Sequence, residues 1–397
     1  MAAANIQERA ENVLCTTYAR IGLTIDRGEG VFVWDDAGRQ YMDLVAGLAV
    51  CGLGHAHPAV AEAVCRQAKK LVHTSNLYYT ENQVLLAEWL RDNSFADRVF
   101  FCNSGAEANE AAIKLARKVH KDRGETDRYE IITMENSFHG RTLATLTATG
   151  QDKVKKGFDP LPEGFVQVPF GDIGAVRRAL TDRTAAVLVE PVQGEGGVCM
   201  PPEAYLPDLR ALCDEAGILL MFDEIQTGMG RTGAYFAHQK MGAAPDVMTL
   251  AKGLANGLPI GAMLATEAAA GAFSPGTHAT TFGGTPLVCA AGLAVVRTLE
   301  EENILDNVNE VGGYFRSGLE GLAQKFDCVE EVRGMGLMLG LRLNVEGGPL
   351  VVDLMDMGFL VNCTQNTVLR FLPPLILEKG HVDDMLAALD DVLSKIQ

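Results

Sequence analysis

The stretch 217–252 constrains the fold most strongly, because it holds two short apolar runs that each end beside a charged residue. The first run, 218–222, is followed at once by Asp223, and the second, 247–250, is followed two positions on by Lys252. Short apolar runs of this kind are typical of strands buried on both faces of a parallel sheet. Because open α/β sheets bind ligands at the carboxyl ends of their strands, we expect this carboxylate and this amine to face one site.

An amine and a carboxylate at neighbouring strand ends suit pyridoxal phosphate. This cofactor needs a lysine for its Schiff base and a carboxylate beside its pyridinium nitrogen. The residues also have a simpler interpretation, because an Asp after a strand often caps the next helix and a lone Lys is usually solvated. The stretch alone leaves both interpretations open, and the rest of the chain favours the cofactor.

Length, charge and cysteine usage narrow the class of protein. The chain has 397 residues, which is enough for one large domain and a smaller one. Its formal net charge of −17 argues against nucleic acid or an anionic membrane surface as partner. The nine Cys form no C-x-x-C pair and several lie in apolar runs, which favours free thiols in a reducing compartment. Without a secretory signal or an apolar run of transmembrane length, we expect a cytoplasmic protein.

Alternating helical and strand patterns predict the domain organisation. Apolar strands end near residues 102, 134, 190, 223 and 251, with helical segments between them. This alternation predicts a doubly wound, mainly parallel α/β domain over residues 56–295. Residues 296–397 predict a smaller α+β domain, and an irregular arm with a hairpin over residues 1–55 is expected to form part of it.

The turn at 103–107 lies between a strand and a long helix and reads Asn-Ser-Gly-Ala-Glu. Unpaired amides and the helix dipole favour an anion at such a helix start, and Ser104 adds a hydroxyl group there. Gly105 allows the backbone to approach a ligand closely. A phosphate site and a plain Ser N-cap both explain these residues.

Other strand exits and loops carry side chains that suit a flat, charged ligand. Phe138 could stack on a ring and Arg141 could bind a carboxylate, although a core Phe beside a surface Arg is the alternative. Glu190 and Glu195 flank a Gly-rich turn at the same predicted sheet edge. Thr281 lies in a loop of two Gly and three Thr that suits a phosphate group.

Seven motifs, in this order, resemble the class III (subgroup II) aminotransferases of fold type I. Each motif alone is weak, but the ordered set covers nearly the whole chain and is specific. The motifs are NSGAEANEAAIKLAR at 103–117, FHGRT at 138–142, EPVQGEGG at 190–197, DEIQTGMGRTG at 223–233, LAKGLANGLPIGA at 250–262, TFGG at 281–284 and LRFLPPL at 369–375.

The resemblance implies a role for each candidate residue. Lys252 would form the Schiff base and later carry the proton between substrate and cofactor, and Asp223 would pair with the pyridinium nitrogen. The other residues expected at the cofactor are Ser104, Gly105 and Ala106 at the phosphate, Thr281 of a partner subunit at the same phosphate, Phe138 and Ile225 on the two ring faces, Gln226 at the ring hydroxyl, and Glu190 supporting Asp223 and Gln226. The residues expected at the substrate are Arg141 for the distal carboxylate, Arg370 for the α-carboxylate of glutamate, Glu195 as the partner of Arg370 when that carboxylate is absent, and Tyr18 as a contact from the arm.

The resemblance also implies a homodimer with active sites at the interface, and small amino and oxo acids as substrates. Segments 46–58 and 108–110 are most similar to the subfamily that acts on N-acetyl-L-ornithine. We therefore expect transfer of its terminal amine to 2-oxoglutarate, giving N-acetylglutamate 5-semialdehyde and L-glutamate in arginine biosynthesis. Ornithine enzymes of the family usually carry Tyr where Leu48 stands, which argues against free ornithine as the main donor.

Other functions compete with this one. A succinylornithine, succinyldiaminopimelate or 4-aminobutyrate aminotransferase, or an aminomutase, would share the fold. A phosphate-binding regulatory protein that uses the Ser104 turn would be a different class. The segment 228–233 matches G-x-G-x-x-G, but it lies deep in the chain and opens no clear helix. His55 and His57 have no third ligand nearby, so we expect no metal site.

Overall fold

A computed structural model describes residues 6–396, so the first five residues of the expected 1–55 segment lie outside the described part. The α-helices are α1 Ile6–Val13, α2 Ala46–Ala49, α3 Pro58–Lys70, α4 Glu81–Asp92, α5 Gly105–Asp122, α6 Leu143–Ala148, α7 Ile173–Ala179, α8 Tyr205–Ala216, α9 Glu267–Ala270, α10 Pro286–Glu301, α11 Ile304–Lys325, α12 Gly348–Asp356 and α13 Lys379–Ser394. The strands are β1 Ile25–Glu29, β2 Phe32–Asp35, β3 Gln40–Asp43, β4 Arg98–Cys102, β5 Glu130–Met134, β6 Phe165–Val168, β7 Thr184–Val189, β8 Leu219–Asp223, β9 Val247–Leu250, β10 Gly261–Ala265, β11 Val329–Met335, β12 Met338–Leu343, β13 Phe359–Leu360, β14 Asn362–Thr364 and β15 Val368–Phe371.

A seven-stranded sheet in the order β4-β10-β9-β8-β7-β5-β6 forms the centre of the molecule. The strands from β9 to β6 pair in parallel, and β10 runs antiparallel to both of its neighbours, β4 and β9. Parallel neighbouring strands need a connection that returns to the same edge of the sheet, and helices supply most of these connections here. The predicted doubly wound, mainly parallel α/β architecture is confirmed.

The strands of this sheet are apolar throughout because both of their faces are covered. Ile132 and Leu220 pack on one side, in a cluster that includes residues of α7 and α8. Ile131 and Met221, their neighbours in sequence, pack on the other side against α5. Successive side chains of a strand point to opposite faces, so a strand covered on both sides needs apolar residues at every position.

Helix α5 begins immediately after β4 because its first turn is capped. The hydroxyl oxygen of Ser104 accepts a hydrogen bond from the Glu107 amide at 3.2 Å. The Glu107 carboxylate accepts in turn from the Asn103 amide at 2.8 Å. These bonds use donors that a helix start leaves free, and they fix the chain direction at the end of β4.

Two four-stranded sheets lie outside the central one, in the orders β1-β2-β3-β13 and β11-β12-β15-β14. In the first, Phe359 of β13 pairs in parallel with Met42 of β3, so residues far apart in the chain share one sheet. Strand β1 lies in the stretch that we expected to be an irregular arm. Its sequence, IDRGE, is polar and mostly exposed, so it shows no alternation from which a strand could be predicted. The domain boundaries at 55 and 295 stay predictions.

All nine Cys are free thiols, and four of them, Cys102, Cys213, Cys289 and Cys328, are buried. Burial raises the pKa of Cys102, Cys213 and Cys289 to about 12, so these thiols stay protonated. None of the helices in residues 6–396 combines the length and the apolar character needed to cross a membrane.

Gly217 ends α8 in the left-handed region, with φ +65°, and a Cβ atom added there would meet only Arg128 Nη1, at 3.9 Å. We predict that Gly217→Ala lowers the free energy of unfolding by about 1 kcal/mol through backbone strain alone. Gly313, an exposed position inside α11, also has room for a Cβ atom. Gly313→Ala should instead raise stability by up to about 1 kcal/mol. Urea unfolding of the two variants checks this, and equal effects would contradict it.

Candidate active site

A cavity of about 420 Å³ lies where the strands of the central sheet end. It is reached by the residues that follow β4, β5, β7, β8 and β9 and by those that precede the antiparallel β10. Eleven of the fourteen candidate residues line it: Ser104, Gly105, Ala106, Phe138, Arg141, Glu190, Glu195, Asp223, Ile225, Gln226 and Lys252. Sequence reasoning did not single out the other lining residues, which are Val50, Asn103, His139, Gly140, Ala251 and residues 257–260.

The carboxylate of Asp223, the last residue of β8, is 4% exposed and is held by donors from three parts of the chain. Its Oδ2 atom accepts hydrogen bonds from Asn109 Nδ2 and His139 Nδ1, each at 2.8 Å. Its Oδ1 atom accepts from the Ile225 amide at 3.1 Å. Asn109 and His139 lie inside two of the motifs noted above, and this is the signal that could have identified them.

Lys252 follows β9 and opens the short 3₁₀ helix Lys252–Ala255 with φ +46°. A left-handed conformation at a non-Gly residue is strained and clusters at functional sites. Burial lowers the pKa of the Lys252 amine, although Glu195 opposes the shift. A larger fraction of this amine is therefore uncharged near neutral pH than in an exposed lysine.

Arg370 of β15 is fully buried and lies behind the cavity wall. Its Nη1 atom donates to Glu195 Oε1 at 2.7 Å and, more weakly, to Gln226 Oε1 at 3.4 Å. Its Nη2 atom finds no hydrogen-bond partner among residues 6–396. Burial would raise the pKa of Glu195, but the charge and hydrogen bond of Arg370, with help from Lys252, bring it below its usual range.

Gly105, at the start of α5, allows two elements to meet. A Cβ atom there would come within 2.7 Å of Ile225 Cδ1, so a larger residue would displace the Ile225 side chain. Ser104 caps the helix, and it also lines the cavity. The structure thus supports the N-cap interpretation of Ser104, and the cavity leaves the phosphate interpretation open at the same place.

Glu190 is 6% exposed and lies next to the Phe138 backbone. Its carboxylate accepts from the Phe138 amide at 3.1 Å and the Gly194 amide at 3.2 Å. Burial, together with the nearby Asp223 charge, raises the pKa of Glu190 to about 7. Arg141 is an exposed residue that also lines the cavity, and its guanidinium carbon lies 5.6 Å from the centre of the Phe138 ring, which places a cation at the mouth of the cavity.

Three residues considered in the sequence lie away from the cavity wall in this chain. Tyr18 is 75% exposed in the arm, and Thr281 is exposed in its loop. Leu48 is 41% exposed, while Val50 of the same loop lines the cavity. The roles expected for Tyr18 and Thr281, like those of the other candidate residues, stay predictions.

The other candidate sites have structural explanations. His55 Nε2 lies 2.8 Å from Asp43 Oδ2, and this contact raises the pKa of His55 to about 9. No three His, Cys, Asp or Glu side chains in the described residues are grouped as a metal site. In the 228–233 segment, Arg231 is buried and donates to the carbonyl groups of Leu337 and Pro373, which ties this turn to the C-terminal part of the chain.

Known proteins are similar to this chain over nearly its whole length. The family described as Aminotransferase class-III matches residues 15–393. The acetylornithine aminotransferase of Methanocaldococcus jannaschii is 52% identical over 381 residues, covering 96% of each chain. A solved ornithine aminotransferase of Toxoplasma gondii, with partial occupancy of PLP at its active site, superposes with a TM-score of 0.94 at 33% identity, covering 98% of this chain and 94% of that one. The N-acetylornithine aminotransferase of Stenotrophomonas maltophilia gives a TM-score of 0.84 at 39% identity, with 96% and 97% of the two chains covered.

The Arg370–Glu195 pair leads to a prediction about stability. Glu195→Gln removes the charge that balances a fully buried arginine but keeps an acceptor oxygen, so we expect a loss of about 2 kcal/mol at neutral pH, below the ~3–5 kcal/mol of a fully unpaired arginine. Glu320→Gln, at the exposed Arg316–Glu320 pair, should cost less than about 0.5 kcal/mol.

The pH dependence of this loss has a defined sign. The pKa of Glu195 is lower in the folded than in the unfolded chain, so its stabilisation is present above the ordinary value of 4.5 and disappears as the pH falls through the folded value. The difference between wild type and Glu195→Gln should therefore shrink in acid. Chemical unfolding at pH 7 and in mild acid measures it, and a constant difference would refute the ion-pair explanation.

Proposed function

This chain belongs to the class III aminotransferases, and we propose that it uses pyridoxal phosphate to move the terminal amine of N-acetyl-L-ornithine to 2-oxoglutarate. The observation that carries the proposal is the fully buried Arg370, paired with Glu195 beside the cavity that holds Lys252. Arg370 can therefore bind the carboxylate of a substrate, or it can stay paired with Glu195 when the substrate has no carboxylate at that position. The similarity to acetylornithine aminotransferases supports the choice of donor and a place in arginine biosynthesis.

The residues around the cavity fit pyridoxal phosphate. The start of α5, with Ser104, Gly105 and Ala106, offers unpaired amides and a positive dipole end for the phosphate. Asp223 offers a buried carboxylate oxygen to the ring nitrogen, and Lys252 offers an amine with a lowered pKa to the aldehyde. When bound, the cofactor supplies an electron-withdrawing ring that stabilises negative charge on the substrate carbon that loses its proton.

The roles proposed for the other cofactor residues rest on where their side chains lie around the cavity. Phe138 and Ile225 line the cavity and offer apolar surface to the two faces of a flat ring. Gln226 would donate to the ring hydroxyl, and Glu190 holds the Phe138 backbone in place. Lys252 Nζ can accept a proton from the substrate carbon and return it, because its lowered pKa leaves it partly uncharged.

Two substrates with different charges must use the same site. Glutamate carries a carboxylate on the carbon that bears its amine, and such a group could pair with Arg370, whose buried Nη2 atom has no partner within residues 6–396, after displacing Glu195. N-acetyl-L-ornithine has no carboxylate on its reacting carbon. With that donor bound, Glu195 keeps Arg370 neutralised, because an unpaired buried arginine would cost about 3–5 kcal/mol. Arg141 would bind the distal carboxylate of both substrates at the cavity mouth.

A homodimer would complete this site. A patch of large apolar side chains is strongly exposed on one chain, at Leu77, Tyr78, Tyr79 and Phe282. The Asn76 side chain donates to the Gly283 carbonyl at 2.9 Å, so the two segments that form this patch lie together. Exposed apolar patches of this kind mark interfaces between proteins. Thr281 lies in the same patch, where it could reach the phosphate site of a partner subunit.

The proposal predicts unequal damage to the two half-reactions. Arg370→Ala should slow the glutamate half-reaction by about a hundredfold, the effect of losing a charge-assisted carboxylate contact, and the acetylornithine half-reaction by much less. Single-turnover absorbance measurements follow each half-reaction separately. The value of kcat/KM should fall in the order N-acetyl-L-ornithine, ornithine, 4-aminobutyrate.

Two variants control this experiment. Arg342→Ala removes an arginine from the neighbouring strand β12, away from the cavity, and should leave both half-reactions unchanged. Lys252→Ala should perform neither half-reaction, and borohydride should attach no cofactor to it. Equal losses in the two half-reactions of Arg370→Ala, or a preference for 4-aminobutyrate, would contradict the assigned donor.

The shared site also predicts complementation between inactive variants. Lys252→Ala and Thr281→Glu would each inactivate both sites of their own homodimer, but a mixed dimer would contain one intact site. Random mixing after joint refolding should restore about a quarter of wild-type activity. The matched control combines Lys252→Ala with Asp223→Ala, whose defects lie in the same chain's share of the site, and should restore none. An active monomer by light scattering would exclude the dimer.

A further inference from the structure

Asn109, in α5, is fully buried beside Asp223, and both the NH₂ group and the oxygen of its side-chain amide are hydrogen-bonded. Its Nδ2 atom donates to Asp223 Oδ2 and to the His139 carbonyl oxygen, each at 2.8 Å. Its Oδ1 atom accepts from Thr249 Oγ1 at 2.7 Å. A buried amide whose two N–H groups and oxygen are all bonded in this way is held in a single orientation.

The chemistry of the partners decides which way the amide points. A carboxylate and a carbonyl group only accept hydrogen bonds, so the NH₂ group of Asn109 must face Asp223 and His139. The Thr249 hydroxyl is then left to donate to Asn109 Oδ1. Thr249 is paired with Asp223 across β8 and β9, so the sheet itself holds both ends of this chain of hydrogen bonds.

This arrangement treats the two oxygens of Asp223 differently. Oδ2 accepts two N–H donors, from Asn109 and His139, which uses both of its lone-pair directions. Oδ1 accepts one donor, the Ile225 amide, and keeps a second direction free. Since Asp223 lines the cavity, Oδ1 is the oxygen that can receive a donor from a bound ligand.

We propose that Asn109 is a positioning residue, which with Thr249 turns the Asp223 carboxylate so that Oδ1 receives the ring N–H of the cofactor. This inference rests on the proposed use of pyridoxal phosphate. Without Asn109, Oδ2 would accept only from His139 and Oδ1 only from the Ile225 amide, so each oxygen would have one free direction and either could face the ring N–H. Asn109 fills the second direction of Oδ2 from a different element, α5, and thereby leaves Oδ1 as the oxygen with a free direction.

The test compares pyridoxal phosphate with an analogue in which carbon replaces the ring nitrogen. Both ligands carry the aldehyde and the phosphate, so their difference reports the ring-nitrogen contact alone. Titration of cofactor-free, full-length wild type should show a preference of at least about tenfold for pyridoxal phosphate. In Asn109→Leu that preference should fall to within about threefold of unity, whatever happens to overall affinity.

Three further variants keep the result interpretable if Asn109→Leu does not fold. Thr249→Val removes the donor that orients Asn109 and should lower the preference by about threefold, while Thr249→Ser keeps the hydroxyl group and should match wild type. Thr133→Val is the matched control, because Thr133 of β5 is buried and its hydroxyl has no partner within the described part of the chain. It should also match wild type.

The outcomes separate the inference from the proposed function. If affinity for both ligands falls together and the preference stays at its wild-type value in Asn109→Leu and Thr249→Val, Asn109 is only structural and the inference is wrong. A wild type that binds both ligands equally overturns the assignment of Oδ1. A wild type that binds neither ligand overturns the proposed cofactor itself.

Discussion

The burial of one carboxylate, that of Asp223, imposes the strictest requirement on this structure. A carboxylate with 4% exposure is stable in a protein only when donors surround it. Its donors come from α5, from the turn after β5 and from the chain just beyond β8. These elements can meet there only if β5, β8 and β9 keep their register, which the apolar clusters on both faces of the sheet enforce.

The charges around the cavity are nearly balanced, although the chain as a whole is strongly acidic. Two carboxylates, Asp223 and Glu195, lie near two cations, Lys252 and Arg370. The charges of Arg370 and Lys252 lower the pKa of Glu195, and the carboxylates oppose the lowering of the Lys252 pKa by burial. Arg141 adds a further cation at the mouth of the cavity. The net charge of −17 therefore lies mainly elsewhere, and the proposed binding of carboxylates and a phosphate here meets little opposing charge.

The C-terminal sheet, β11-β12-β15-β14, contributes one side chain to the region of the cavity. Arg370 enters from β15 and reaches Glu195, which follows β7 of the central sheet. A residue of one sheet thus completes a charge pair with a residue that follows a strand of another, so the packing of the two sheets decides whether this pair forms. Glu195, at 30% side-chain exposure, is the more accessible partner, which is consistent with the proposed displacement of Glu195 by a substrate.

The sequence by itself determined the α/β architecture and most of the cavity wall. Apolar runs indicate strands covered on both faces, and charged residues just after them indicate the edge of the sheet where ligands bind. Asp223, Lys252 and Glu190 could therefore be found from local patterns. Only the tertiary structure decided which groups touch across long sequence distances. Asn109 and Asp223 are 114 residues apart, and β10 reverses direction among parallel strands, although neither fact leaves a local pattern. Likewise the polar strand β1 is specified by pairing with β2 and not by its own residues, because exposed strands need no apolar alternation.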